Sequence, residues 1–252
     1  MPHAPFVHLR VRSSYSLLEG KIDYPGLARA CADQAMPAVA VTDHGNLFGV
    51  MQFCAAAMAE GVQPIVGTLL PLALPSQPGS LTALRRDRVQ RPALLPVLAQ
   101  NETGYRSLLR LLSAVYLDDP GETSLTVDAL EANSAGLILL TGGAEGPLGR
   151  LLQRGDRTGA TALLDRLERA FDGRLYVELQ RHGEPAEALT EPVFLDLAFE
   201  RGLPLVATND CLFLEASEHD AHDALICIAE GQNVASEDRR RFSLDYRLKS
   251  AT

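Results

Sequence analysis

Short apolar runs recur along the chain, separated by longer amphipathic stretches. They fall at 6–11, 38–42, 64–67, 94–99, 137–141, 175–179 and 205–208. Runs this short and this continuous predict strands covered on both faces. The stretches between them follow the helical repeat. Over 24–34, Leu27, Ala30 and Cys31 share a face, and Pro25 falls in the first turn, where proline is tolerated. The 48–59 stretch is rich in alanine and methionine, and 105–115 carries Leu108, Leu109, Leu111 and Leu112. Over 158–171, Leu163, Leu164 and Leu167 alternate with Asp165 and Arg169, which are spaced for an i,i+4 ion pair. The 187–201 stretch packs Val193, Leu195, Leu197 and Ala198, and a last helix is expected around 221–230. Gly61, Gly173 and Gly202 stand where helices should stop.

Strands alternating with helices predict βα units and a parallel sheet. Seven of them suggest a closed α/β barrel, a (β/α)7 arrangement, in place of an open sheet. One segment breaks the rhythm. Residues 74–92 hold Pro75, Pro78, Gly79 and Ser80, with Arg85, Arg86, Arg88 and Arg91. This predicts a mobile surface excursion. Its arginines would serve either as a solvated loop or as a contact for nucleic acid or a partner.

Composition narrows the class. The chain has 252 residues, 46% of them hydrophobic, enough for one large core. No apolar run reaches the ~18 residues that a membrane span needs. With no signal-peptide pattern at the start, the expected compartment is the cytoplasm. Cys31, Cys54, Cys211 and Cys227 form no CxxC pair and are expected to be buried free thiols. The formal net charge of −9 argues against this chain being the main DNA-binding surface.

In a parallel α/β barrel, function sits at the carboxyl ends of the strands. Arg10, Arg12 and Glu19 follow or end the first expected strand, and Asp43 and His44 follow the second. Thr68 and Leu69 follow the third, and Leu94 and Asn101 flank the fourth. His182 follows the sixth, and Asp210 and Leu212 the seventh. Imidazoles and carboxylates converging at strand ends suit a divalent metal. Each also has a structural reading. His44 could cap a turn, His182 could belong to a loop, Asp210 with Asn209 could form a turn, and His8 could be a buried, hydrogen-bonded core histidine. His219 and His222 are expected as surface or helix residues. Ser13, Ser14 and Ser16 belong to no GxSxG or histidine–acid pattern, and no GxxxxGK[ST] loop occurs, so serine hydrolase and P-loop chemistry are set aside.

"FVHLRVRSSYSLLEG" at 6–20 and "MPAVAVTDHGNLFG" at 36–49 resemble the PHP (polymerase and histidinol phosphatase) domain at the amino terminus of the bacterial replicative C-family polymerases, the DNA polymerase III alpha subunits. "PIVG", "AQNETGYRSLLRLLS", "GLILLTGG", "YVELQRHG" and "GLPLVATND" extend the likeness over nearly the whole chain. The resemblance implies a distorted seven-fold βα barrel holding a metal cluster. It places ligands at Glu19, His44, His182 and Asp210, with Asp43 beside them. It also implies losses: the opening HxH reads Arg10-Val11-Arg12, and the remaining ligand positions fall on Leu69, Leu94 and Leu212. Leucine cannot bind a metal, and an always-protonated arginine offers only donors. The expectation is a degenerate site, with Arg10 and Arg12 neutralising Asp43, Asp210 and Glu19 where the metals would be.

Under this resemblance, residues 1–235 are the PHP domain and 236–252 begin the connection to a polymerase region that would carry its own Mg. The parent would be a DNA-directed DNA polymerase, a nucleotidyltransferase of DNA replication. This domain would be catalytically inactive: a scaffold and docking site for the proofreading exonuclease subunit and other holoenzyme subunits. Contact with DNA would come through the full-length polymerase. Any cofactor would be a weakly bound Zn, Mn or Mg. The alternative is an active metal-dependent phosphoesterase or 3'-5' exonuclease. A third reading, a histidinol-phosphatase-like metabolic enzyme, is opposed by "NLFG" and "NETGYRSLL".

Overall fold

The computed structural model describes residues 4–74, 92–117 and 124–250. The expected excursion at 74–92 therefore lies, apart from its two end residues, outside the described residues. Six strands form one curled sheet in sequence order: β1 (Ala38–His44), β2 (Gln63–Leu72), β3 (Ala93–Ala99), β4 (Leu137–Leu140), β5 (Leu175–Leu179) and β6 (Leu205–Ala207). The described helices are α1 (Tyr24–Asp33), α2 (Val50–Ala59), α3 (Glu102–Leu117), α4 (Val127–Ala132), α5 (Pro147–Gln153), α6 (Arg157–Ala170), α7 (Pro185–Arg201) and α8 (His219–Glu230).

Two expectations about the sheet change. It is not wholly parallel: β3 runs antiparallel to both β2 and β4, pairing Leu69 with Pro96 and Val97 with Leu139. The amino end of β3 thus meets the carboxyl ends of its neighbours, which brings Leu94 to the functional end. And residues 6–11 are not one of the six strands. They lie as an extended bridge between the sheet's two ends. Ala40 N–H donates to His8 O at 2.8 Å and Thr42 N–H to Val11 O at 2.8 Å, on the β1 side. On the other side Arg12 N–H donates to Cys211 O at 2.9 Å and Cys211 N–H to Arg10 O at 3.0 Å.

Strand alternation sorts the side chains. One core lies between the sheet and α3 to α7, with Leu70, Leu95, Val97, Leu139 and Val177 facing Leu108, Leu167, Phe171 and Phe194. A second gathers Val11, Val39, Val41 and Cys211 against Leu27, Cys31 and Phe53 of α1 and α2. Period two then sends Arg10, Arg12, His44, Leu69, Leu94, Glu178 and Asp210 to the opposite, inner face.

Helix ends follow local chemistry. Asp23 caps α1 by accepting from Gly26 N–H, and Gly202 ends α7 in the left-handed region at φ 65°. The expected Asp165–Arg169 pair does not form. Arg169 donates to the Asp165 backbone oxygen, while the Asp165 carboxylate pairs with Arg201 of α7. That tie across two helices displaces the weaker local one. The cysteines are free thiols, three of them buried and Cys54 half-buried. Among the described residues no helix is long and apolar enough to cross a membrane.

Candidate functional site

The inner face opens at the strand ends into a cleft of ≈ 400 Å³ lined by Arg10, Arg12, Glu19, His44, Leu94 and Asp210, among others. Its floor is a ladder of alternating charge. Arg10 Nη1 lies 3.4 Å from Glu178 Oε2, and its Nη2 lies 3.4 Å from Asp210 Oδ2. Arg12 grips Asp210 with two donors, Nε to Oδ1 at 3.0 Å and Nη2 to Oδ2. Its Nη1 then donates to Glu19 Oε2 at 2.9 Å. His44 Nδ1 lies 3.3 Å from both Glu19 oxygens. The order is Glu178, Arg10, Asp210, Arg12, Glu19, His44, each neighbour opposite in sign or able to donate.

Burial makes the ladder strict. Arg10 and Glu178 are 1% and 0% exposed, so neither charge could stay without its partner. Burial alone would raise the Asp210 carboxyl, but Arg10 and Arg12 outweigh it and hold it below the usual range. Burial likewise works to raise Glu19, but its hydrogen bond with His44 and the neighbouring Arg12 guanidinium together bring it down to about 2. Burial disfavours a charged Arg12, but Asp210 and Glu19 reverse this and raise it above an ordinary arginine.

The expected residues divide. Glu19, His44, Asp210, Arg10 and Arg12 come together. Asp43 does not join them: one residue before His44, it points to the alternate face, the side of Val39 and Val41. Its carboxylate accepts from Ser13 N–H, Ser13 Oγ and Ser16 Oγ, each at 2.7 Å, and from Tyr24 OH at 3.2 Å. The expected pairing of Asp43 with the arginines is thus corrected, because one residue along a strand turns the side chain away. His182 is near but occupied. Its Nε2 accepts from Asp210 N–H at 3.1 Å, so Nδ1 carries the proton and donates to Glu187 Oε1 at 2.7 Å. Leu69 and Leu212 are fully buried and Leu94 lines the cleft. His222, expected as a surface or helix residue, is a buried residue of α8, and its Nε2 donates to Glu19 O at 2.9 Å, fixing that loop.

Glu178, Glu187 and Tyr246 escape sequence reasoning. Glu178 had a visible signal, as the one charged residue inside the apolar strand "LYVEL". Glu187 sits in the first turn of α7 and reads there as an ordinary helix-start acid, and Tyr246 lies far along the chain.

These side chains do not fit a metal cluster. Both His182 nitrogens are committed, and both Asp210 oxygens face guanidinium. Among the described residues no group of three or more His, Cys, Asp or Glu is placed to hold an ion.

The PHP domain family model matches residues 8–182. The chain belongs to the PHP domain family. Curated relatives of this PHP domain are DNA polymerase III alpha subunits: one from Caulobacter vibrioides, 42% identical over 98% of this chain and 21% of its own length, and one from Escherichia coli K12, 36% identical over 96% and 20%. The PHP domain here thus spans about a fifth of the length of these relatives. Among solved structures it is similar in fold to an amidohydrolase from Chromobacterium violaceum with bound sulfate and no metal (TM-score 0.50, 13% identity, covering 81% of this chain and 86% of that one). A protein from Bifidobacterium adolescentis, assigned by name to the metal-dependent phosphoesterases, has the same TM-score of 0.50 at 12% identity, over 83% and 88%.

Proposed function

We propose that this PHP domain is a catalytically silent scaffold of a DNA polymerase III alpha-type replicase, acting in bacterial DNA replication in the cytoplasm. The observation that carries the reading is the doubly bonded Arg12–Asp210 pair flanked by Arg10 and Glu19. Guanidinium groups stand where a PHP enzyme would need ligands, and they supply the positive charge that a metal would otherwise bring. Polymerisation, with its own Mg, belongs to a region outside this chain. The domain would present a rigid surface to the proofreading exonuclease subunit and other holoenzyme subunits, with DNA held by the full-length polymerase. Residues 8–12 would act as the seventh stave of a (β/α)7 barrel. The domain would run over residues 1–235, with 236–252 starting the connection onward.

A second reading is a metal-dependent phosphoesterase or 3'-5' exonuclease. The Bifidobacterium neighbour and the half-buried Glu19–His44 pair at the cleft favour it. It requires His182 to leave Asp210 and Glu187, and Asp210 to leave two arginines.

Metal content separates the two. The protein is incubated with manganese or zinc, desalted, and measured by mass spectrometry for bound metal. The scaffold reading expects less than about a tenth of a metal per chain. Two or more per chain, with hydrolysis of a phosphodiester, would establish the enzyme instead.

A further inference from the structure

The turn after β1 leads from His44 into α2, and the outer face of α2 is unlike those of α3 and α6. Where α3 shows Arg106 and Arg110 to solvent and α6 shows Arg157, Asp165 and Arg169, α2 shows Met51, Ala55, Met58 and Ala59. Its sequence, VMQFCAAAMA, holds no charged residue, and Gln52 is its one strongly polar side chain. The inner face is already used: Phe53 and Ala57 lie in the core with Leu27 and Cys31 of α1. A helix apolar on every side is one that is buried on every side. In the single chain, however, Met51 and Met58 are 79% and 65% exposed, and Phe48 in the entering turn is 70% exposed. Positions 51, 55 and 58 follow the i, i+4, i+7 spacing of one helical stripe.

This stripe is complementary to itself. An antiparallel second α2 that sets Met51 level with Met58 of the other copy sets three further pairs level by the same count. Ala55 falls beside Cys54 at the axis, two small side chains where the helices must approach most closely. Phe48 falls over Gly61, which has φ 72° and nothing within 4 Å of the place a Cβ would take. Glu60 falls level with Gly49, which begins α2 without a side-chain cap. A carboxylate thus meets the positive end of the facing helix at both ends of the seam. No like charges meet along it, because residues 48–59 hold none.

The area sets the strength of such a pair. Covering Phe48, Met51, Ala55, Met58 and their neighbours removes on the order of 600 Å² per copy from water, against about 800 Å² per partner in a standard stable interface. That suits a reversible pair, and methionine side chains adapt readily to a new neighbour.

We propose that the outer face of α2 is a self-association surface, on which two copies of this chain pair antiparallel about a two-fold axis near Ala55, with Met51 against Met58. The contact uses the same patch on both copies, so it closes at two. It goes beyond the scaffold reading and does not depend on what the cleft holds.

Sedimentation equilibrium on the 252-residue protein tests this over about 1 to 500 µM, in ~0.15 M salt, which screens the repulsion between two copies of net charge −9. The average mass should rise with concentration from one chain toward two, with a dissociation constant on the order of 10–100 µM. Met51→Glu and Met58→Lys should each weaken the pair about tenfold or more. Both replacements are good helix formers at exposed positions, so the fold is kept. The double variant Met51→Glu with Met58→Lys should pair about fivefold more tightly than either single one, because antiparallel pairing sets each glutamate against a lysine. Phe199→Glu removes an equally exposed apolar side chain from α7 and should leave the constant unchanged. A protein that stays monomeric throughout the range would overturn the proposal and leave this face to a partner of another kind. Association that survives Met51→Glu, or that Phe199→Glu weakens as much, would overturn it as well, since the pair would then use another surface. A double variant no tighter than the single ones would overturn the antiparallel pairing.

Discussion

Arg12 shows how one side chain can set the character of a site. It spans two carboxylates, Asp210 and Glu19, from a buried position. Arg12→Met leaves Asp210 with only the longer contact to Arg10. Breaking a buried pair this way should cost about 3–5 kcal/mol, read from urea unfolding midpoints. Arg12→Lys should also be strongly destabilising, since one ammonium cannot reproduce the two-donor grip. The double variant Arg12→Met with Asp210→Leu should recover part of the loss, because no charge is then left without its partner. A double variant no more stable than Arg12→Met would show that the pair is not the source of the cost. At this scale much of the site was legible. An arginine pair in place of HxH cannot bind metal, and that follows from residue type alone. Glu178 was not found, because its role depends on a strand face meeting Arg10 across 168 positions of sequence. Nor could residue type reveal that Asp43 looks the other way.

At the scale of elements, buried histidines tie segments together and create a pH response. Burial lowers the pKa of both His8 and His222, against the pull of their hydrogen bonds to Lys249 and Glu19 carbonyls. A folded pKa below the unfolded value of 6.5 means stability is complete above that pH and falls as pH drops. The melting temperature should therefore begin to fall below about pH 6.5, and His222→Gln should remove part of the slope between about pH 6.5 and 5. An unchanged slope would exclude His222 as a contributor. A steeper fall should follow between about pH 4 and 2 as Glu19 takes up a proton and lets go of Arg12, and the Asp210 carboxyl, also held below its usual range by the arginines, adds to the loss in acid. Element packing sets another limit. A Cβ on Gly104 of α3 would lie 1.8 Å from Gly136 O, so the helix can approach the turn before β4 only through glycine. Gly104→Ala should destabilise by several times the usual surface substitution, as measured by calorimetry. The main helices and strands were readable from apolar period. The short helices α4 and α5 were not, because six or seven residues give too few repeats of a period.

For the whole molecule, the alternation of strands and helices correctly pointed to an α/β sheet with helices packed on it. The reversal of β3 was hidden, since a continuous apolar run reads the same in either direction. So was the placement of residues 242–249, whose buried Tyr246 and Leu248 are spaced like any short loop. The segment at 8–12 carries a consequence for how the chain acquires its shape. Its partners, β1 and Cys211, are separated by some two-thirds of the sequence, and its side chains meet Glu178 and Asp210, which are likewise made long after it. The segment made before its partners is finished only once they have arrived. Closing contacts between such distant positions carries a loop-closure cost, and a contact made only after the barrier slows unfolding without speeding folding. Arg12→Met should accordingly leave the refolding limb of a chevron nearly unchanged and steepen its loss on the unfolding side. The opposing charges at this seam would then act mainly as a clasp on lifetime, holding the finished domain closed for longer without hastening its assembly.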